Sequence, residues 1–153
     1  MFEFDHDFST ANGAPVIHNG IEIIRIDRIP VEKKFSGTVK LISTNSEWKQ
    51  AVRLMVEKGK LKIEPDDSKG YFLWEDYLRN SDVYFEGTTT KKELIVHNAW
   101  RNYIFAGKRF TNYWQRGAAM IREINGNTRR YRCNDGHPDD NFDDIIFEVI
   151  INE

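Results

Sequence analysis

Residues 120–133 read Met-Ile-Arg-Glu-Ile-Asn-Gly-Asn-Thr-Arg-Arg-Tyr-Arg-Cys, and this stretch decides the fold class. Asn125-Gly126 closes a short run of β-formers, and the central positions of a tight hairpin turn need the positive φ that Asn and Gly adopt at little cost. The pattern predicts a strand over 120–124 and an antiparallel return over 128–133. Further on, Ile145-Ile146-Phe147-Glu148-Val149-Ile150-Ile151 is an apolar run suited to a buried central strand.

Upstream, the turn signal Asn19-Gly20 opens 21–29, where Ile21, Ile23, Ile24 and Ile26 set against Arg25 and Asp27 read as a strand. Val39-Lys40-Leu41 reads as another, and 82–86, 93–97 and 103–105 as three more short ones. Residues 46–63 fit two patterns. A helix over 46–58 would have Ser46 as N-cap, Trp48, Val52 and Met55 on one face and Gly59 as its stop. A hairpin would alternate Val52, Leu54 and Val56, turn near Gly59 and return through Leu61 and Ile63. The hairpin is preferred, because 60–63 then has a partner. The expected fold is an all-β, jelly-roll-like antiparallel sandwich, one domain over 1–153, with room for one short helix.

Composition agrees. The 153 residues are 40% hydrophobic and 30% charged, with 10 Gly and 4 Pro, which is a globular chain and not a disordered one. No apolar run approaches the ~20 residues that span a bilayer, so no membrane insertion is expected. The first residues carry acids where a secretory leader carries Lys or Arg, so the expected location is cytoplasmic or reached by non-classical export. One cysteine, Cys133, excludes an internal disulfide framework and a cysteine zinc cage; it reads as a small core side chain.

Charge is uneven. Residues 1–90 hold 12 Lys/Arg against 15 Asp/Glu, 91–132 hold 10 against 2, and 133–153 hold none against 7. Within the basic block, 97–116 interleave bases with Trp100, Tyr103, Phe105, Phe110, Tyr113 and Trp114. Such a pattern serves base stacking with Lys108, Arg109 and Arg116 on phosphates, or stacking on sugar rings. It equally serves strands whose aromatics are core and whose bases are solvated, which is the commoner use. The acidic segment next door weighs against nucleic acid. No Gly-rich phosphate loop and no Gly-x-Ser-x-Gly elbow occurs, and His6, His18, His97 and His137 are not paired at helical spacing. The chain reads as a binder and not an enzyme.

The most informative segment is Asp135-Gly136-His137-Pro138-Asp139-Asp140-Asn141-Phe142-Asp143-Asp144. Gly136 and Pro138 make it a loop. Carboxylates packed this closely repel and raise one another's pKa unless a cation sits among them, and calcium takes 6–8 such oxygens. Asp135, Asp139, Asp140, Asn141, Asp143 and Asp144 are therefore candidate calcium ligands, with Phe142 as the apolar anchor of the loop. The spacing is not that of an EF-hand.

These residues resemble the two-calcium bacterial lectins that bind fucose and mannose, which carry E-x-x-x-D-x-D-Y-N-D ahead of an apolar C-terminal strand. Asp135 stands for the Glu, Asp139 matches the next Asp, Asn141 stands for the middle Asp, Phe142 for the Tyr and Asp143 for the Asn, and Asp144 matches the last Asp. The resemblance covers 135–153. It implies two calcium ions completed by sugar hydroxyls, and a terminal carboxylate lent by a partner subunit, here that of Glu153, where the family ends in Gly. The expectation is a calcium-dependent, lectin-like carbohydrate-binding protein acting as a homo-oligomer, with Trp100 or Trp114 packing on the sugar ring. The alternative is an intracellular inhibitor or immunity-type protein whose acidic C-terminal segment masks a basic protein surface.

Overall fold

The computed structural model describes residues 3–103, 109–137 and 139–153, and of residues 103, 109 and 110 the backbone alone. The expected strand over 103–105 and the predicted roles of Lys108 and Pro138 thus fall wholly or partly outside the described residues. Helix α1 (Asp5–Thr10) precedes a small hairpin, β1 (Val16–His18) and β2 (Ile21–Ile23). Then follow β3 (Asp27–Pro30), β4 (Lys34–Thr44), β5 (Lys49–Met55), β6 (Gly59–Ile63), β7 (Asp66–Ser68) and β8 (Gly70–Trp74). After α2 (Glu75–Asn80) come β9 (Val83–Thr89), β10 (Glu93–Tyr103), β11 (Arg109–Asn112), β12 (Ala119–Asn125), β13 (Thr128–Asn134) and β14 (Ile145–Ile151).

Apart from the β1–β2 hairpin, which is a two-stranded sheet of its own, the described strands form two antiparallel sheets. One has the order β11-β10-β5-β8, with β3 also pairing β10. The other has the order β12-β13-β14-β4-β9-β6-β7. Their inner faces share one core. Val52 and Leu54 of β5 and Leu94 and Val96 of β10 meet Val39, Phe85, Tyr131 and Phe147 from the larger sheet. This is a β-sandwich. The run 145–151 is the central strand it was expected to be, with Ile145, Phe147 and Val149 fully buried, and Cys133 is a buried core side chain. A second, smaller cluster gathers Phe4, Phe8, Ile23, Ala119 and Phe142 beside the β1–β2 hairpin.

Three details differ from the sequence reading. The β12–β13 hairpin forms, but its register pairs Asn125 with Thr128. The turn therefore centres on Gly126-Asn127, and of the two only Gly126 has positive φ, at 62°, the pattern of a turn that needs Gly first. Residues 52–63 are strand, turn and strand, but not a hairpin: β5 pairs β10 and β8, whereas β6 pairs β9 and β7. In a sandwich, strands of opposite sheets bury their alternate residues in the same core, so an inward alternation does not name the pairing partner. Finally, 21–29 is broken. Ile23 ends β2 in the small cluster, Ile24 bridges Met120, and β3 starts at Asp27 in the other sheet.

At that crossing lies Asp27, 2% exposed. It accepts hydrogen bonds from Arg122 (2.6 Å), Arg129 (2.8 Å) and the Tyr131 hydroxyl (2.6 Å). Asp27 belongs to the smaller sheet and its donors to the larger, so the carboxylate ties the two layers. Burial alone would raise its pKa, but the Tyr131 hydroxyl and the two guanidiniums hold it below the ordinary value. Removing one partner of such a set leaves buried charge uncompensated. Asp27→Ala should therefore cost about 3–5 kcal/mol of unfolding free energy, read by urea denaturation. A loss under about 1 kcal/mol would show that the arginines find other partners.

Candidate functional site

Two places answer to the sequence: the acidic loop at one end of the sandwich, and the outer face of the smaller sheet.

In the loop, Asp135 is fully buried. It accepts from Ser46 Oγ (2.6 Å), Gln50 Nε2 (3.0 Å) and the His137 backbone N–H (2.9 Å), and pairs with His137 Nδ1 at 2.8 Å. His137 also reaches Glu47 at 3.2 Å and stacks on Trp48 with centroids 3.7 Å apart. Burial works against its charge, yet the hydrogen bonds it donates to Asp135 and Glu47 leave its pKa raised. Asp144 accepts from the Asp135 backbone N–H at 2.9 Å. Burial first, and then the neighbouring Asp135 charge, push its carboxyl up to about 7. Asp139 is raised for the same two reasons.

The remaining predicted ligands are spread out. Asp143 accepts from Asn45 Nδ2 at 2.9 Å, Asp140 lies 3.4 Å from His18 Nε2, and Asn141 is exposed. Phe142 is the anchor the sequence suggested, 6% exposed in the small cluster. Asn134 fixes the loop, accepting from the Phe142 N–H (2.6 Å) and donating to the Asp139 carbonyl (2.8 Å). Glu153 stands at the other end of β14, seven residues of strand and about 20 Å from Asp144. Only a second copy would bring such a carboxylate to the loop. Among the described residues, no group of three or more His, Cys, Asp or Glu side chains is arranged to hold a metal.

The two tryptophans part company. Trp100 is 1% exposed, its ring 6.4 Å from Trp48 and packed so closely that a Cβ at Gly136 would press on it at 2.8 Å. It faces inward because it sits opposite Gln50, on the core side of β5. A sugar does not reach it. Trp114 is 42% exposed.

Trp114 ends a strip of rings on the outer face of the smaller sheet. Trp74 and Phe72 of β8 have centroids 6.3 Å apart, Phe72 and Tyr113 6.2 Å, and Tyr113 and Trp114 5.1 Å. Register explains the alignment. Phe72, Arg53 and His97 form one cross-strand row, Trp74, Ala51 and Ala99 the next, and Lys49 and Arg101 a third. His97 is the buried floor, 5.0 Å from Tyr113 and 4.9 Å from Trp114. Burial, outweighing its bond to the Asn98 carbonyl, lowers its pKa to about 4, so it is neutral near pH 7. Cations lie on the rings: Arg53 at 4.3 Å over Phe72, Arg101 at 4.2 Å and Lys49 at 5.6 Å over Trp74.

The loop carrying Tyr113 and Trp114 is held in a costly conformation, with φ of 56° at Trp114 and 49° at Arg116. Arg25 clamps it, donating to the carbonyls of Trp114 (3.0 Å), Arg116 (2.8 Å) and Ala118 (2.8 Å) while pairing with Asp5 at 2.8 Å. Beside Trp114 opens a pocket of about 340 Å³ walled by Phe8, Ser9, Arg25 and Ile26. Sequence reasoning nominated Trp114 but missed Phe72, Trp74 and Arg53. The alternation Phe72-Leu73-Trp74, with Leu73 inward, was the available signal.

No family model matches this chain, and no curated protein or solved structure is significantly similar to it.

The loop yields one prediction. A carboxyl whose pKa is raised on folding binds its proton more tightly in the native state, so stability falls as pH rises from the unfolded value near 4 through about 7. Asp144→Asn keeps an acceptor for the Asp135 N–H and stays neutral. It should flatten that fall, which is on the order of 2–4 kcal/mol, in urea titrations between pH 4 and 8. An unchanged slope would show that Asp144 is ionised in the native state throughout.

Proposed function

We propose that the protein is a non-catalytic carbohydrate-binding β-sandwich, and that its binding face is the strip Trp74–Phe72–Tyr113–Trp114. The observation that carries this reading is the set of four adjacent rings on one outer sheet face, ending beside a pocket. Sugar rings present apolar C–H faces that stack on aromatics, and the flanking cations and Ser9 offer hydrogen bonds to hydroxyls. Rings spaced along a strip suit a chain of sugars better than a single one. Separate weak contacts add up along such a ligand, and further copies of the chain would add avidity.

A calcium-dependent mode is the second reading, and one observation favours it. Asp139 and Asp144 are both raised partly by neighbouring carboxylates, and Asp143 Oδ1 is buried without a partner. A divalent ion drawing in Asp139, Asp143 and Asp144 would relieve that repulsion. Asp135 would have to release donors it already has.

Titration calorimetry against a panel of oligosaccharides tests both. Trp114→Ala and Trp74→Ala should each weaken glycan binding by about 1–2 kcal/mol, roughly 5–30-fold, whereas Trp100→Phe should leave affinity unchanged. Equal affinity of wild type and both alanine variants would reject the strip. For calcium, millimolar CaCl2 against EDTA should leave both the melting temperature and the affinity unmoved if the strip acts alone; a rise of several degrees with calcium would establish the second reading.

A further inference from the structure

The arginines whose side chains are described divide into two groups. Outside the strip, Arg25, Arg28, Arg79, Arg122, Arg129, Arg130 and Arg132 each reach a carboxylate. On the strip, Arg53 and Arg101 have no carboxylate and no hydrogen-bond partner among the described residues. Arg116, in the loop beside Trp114, donates its backbone N–H to Asp5 Oδ1 at 2.7 Å, while its guanidinium has no carboxylate partner among the described residues.

Arg53 is not a loose surface side chain. It is half-buried, and its guanidinium lies over Phe72 and against Gly70, where a Cβ would come within 2.8 Å of Nη2. Gly70 thus leaves the space the guanidinium occupies. Burial lowers its pKa, so its charge is partly desolvated without a counter-charge to compensate. Arg101 lies over Trp74 in the same manner. Asp76 neutralises Lys49 (3.1 Å), which leaves the two guanidiniums as the strip's charge without a carboxylate partner among the described residues. A guanidinium held flat by a ring keeps its donor edge pre-oriented for the paired oxygens of an oxyanion.

We propose that the ligand of this face is an anionic glycan, whose carboxylate or sulfate groups pair with Arg53 and Arg101 while its rings stack on the strip. This rests on the carbohydrate reading above and narrows it. The guanidiniums of Arg53 and Arg101 lie over two successive rings of the strip, whose centroids are 6.3 Å apart. Two cations on successive rings fit a polymer that repeats its anion along its length, not a single charged sugar. A net charge of −2, with an acidic segment of seven Asp/Glu, disfavours a nucleic acid, whose phosphates would meet that charge.

The test compares, by calorimetry on the full chain, an oligogalacturonate, the same oligosaccharide with its carboxyls reduced to alcohols, a sulfated oligosaccharide and oligo-dT. The expected result is at least tenfold tighter binding of the oligogalacturonate or the sulfated oligosaccharide than of the reduced form, with the preference falling as NaCl is raised. The arm that binds tighter identifies the oxyanion. Arg53→Gln and Arg101→Gln should each erase most of that preference while leaving residual binding to the reduced form. Gly70→Ala, which displaces the Arg53 guanidinium without removing it, should do so in part. Equal binding of charged and reduced forms overturns this proposal and leaves the carbohydrate reading standing. Binding of oligo-dT alone, or of no member of the panel, overturns both. The salt dependence of the wild type decides the matter should the variants fold poorly.

Discussion

Asp27 is the point on which the two layers depend. A carboxylate 2% exposed is tolerable only because three donors from the opposite sheet converge on it. The geometry works in both directions. The carboxylate fixes how β3 meets β12 and β13, and it draws two arginines of the basic block into the sandwich edge. On the solvent face of the larger sheet the block is neutralised again, through Arg130–Glu148 and Arg132–Glu123. Four of the ten bases of this stretch, Arg122, Arg129, Arg130 and Arg132, are thus taken up by internal pairing, and among the described residues Arg53 and Arg101 lie on the smaller sheet's outer face with no carboxylate partner.

The acidic loop shows a parallel economy of charge. Crowded carboxylates have three remedies: donors, protons or cations. Asp135 is given donors from Ser46, Gln50 and His137. Asp144, beside it, is given a proton up to about pH 7. Asp143 and Asp140 are given Asn45 and His18. A sequence displays the count of acids and their spacing, but apart from His137 the donors come from 85 to 122 positions away, so crowding alone reads as a demand for metal.

The same distinction explains what was legible elsewhere. The β12–β13 hairpin, the central strand 145–151, the buried Cys133 and the Phe142 anchor were readable because turn chemistry and apolar runs are local signals. Pairings between β5 and its true partners were not, since Val52, Leu54, Leu61 and Ile63 all point into one core whichever sheet holds them. Strand β8 escaped notice: five residues that run straight into α2 carry too little period to stand out. Trp100 and Trp114 look alike in sequence. Register with Gln50 sends the first inward, and a loop with positive φ sends the second out.

That loop is hard to account for by stability. Tyr113 and Trp114 remain 38% and 42% exposed, and Trp114 itself and Arg116 hold φ values that cost free energy. Relaxing the backbone and burying the rings would favour the folded state on both counts. Instead Arg25 spends three hydrogen bonds on fixing the carbonyls of Trp114, Arg116 and Ala118. A conformation held against its own preference, with its rings continuing a line begun by Trp74 and Phe72 on a rigid sheet, lowers the ordering cost of whatever docks there. The guanidiniums of Arg53 and Arg101 obey the same logic: each is held on a ring before any ligand arrives. Strain, exposed aromatics and uncompensated charge are separate liabilities for folding, and their convergence on one face of one sheet is what a pre-organised binding surface requires.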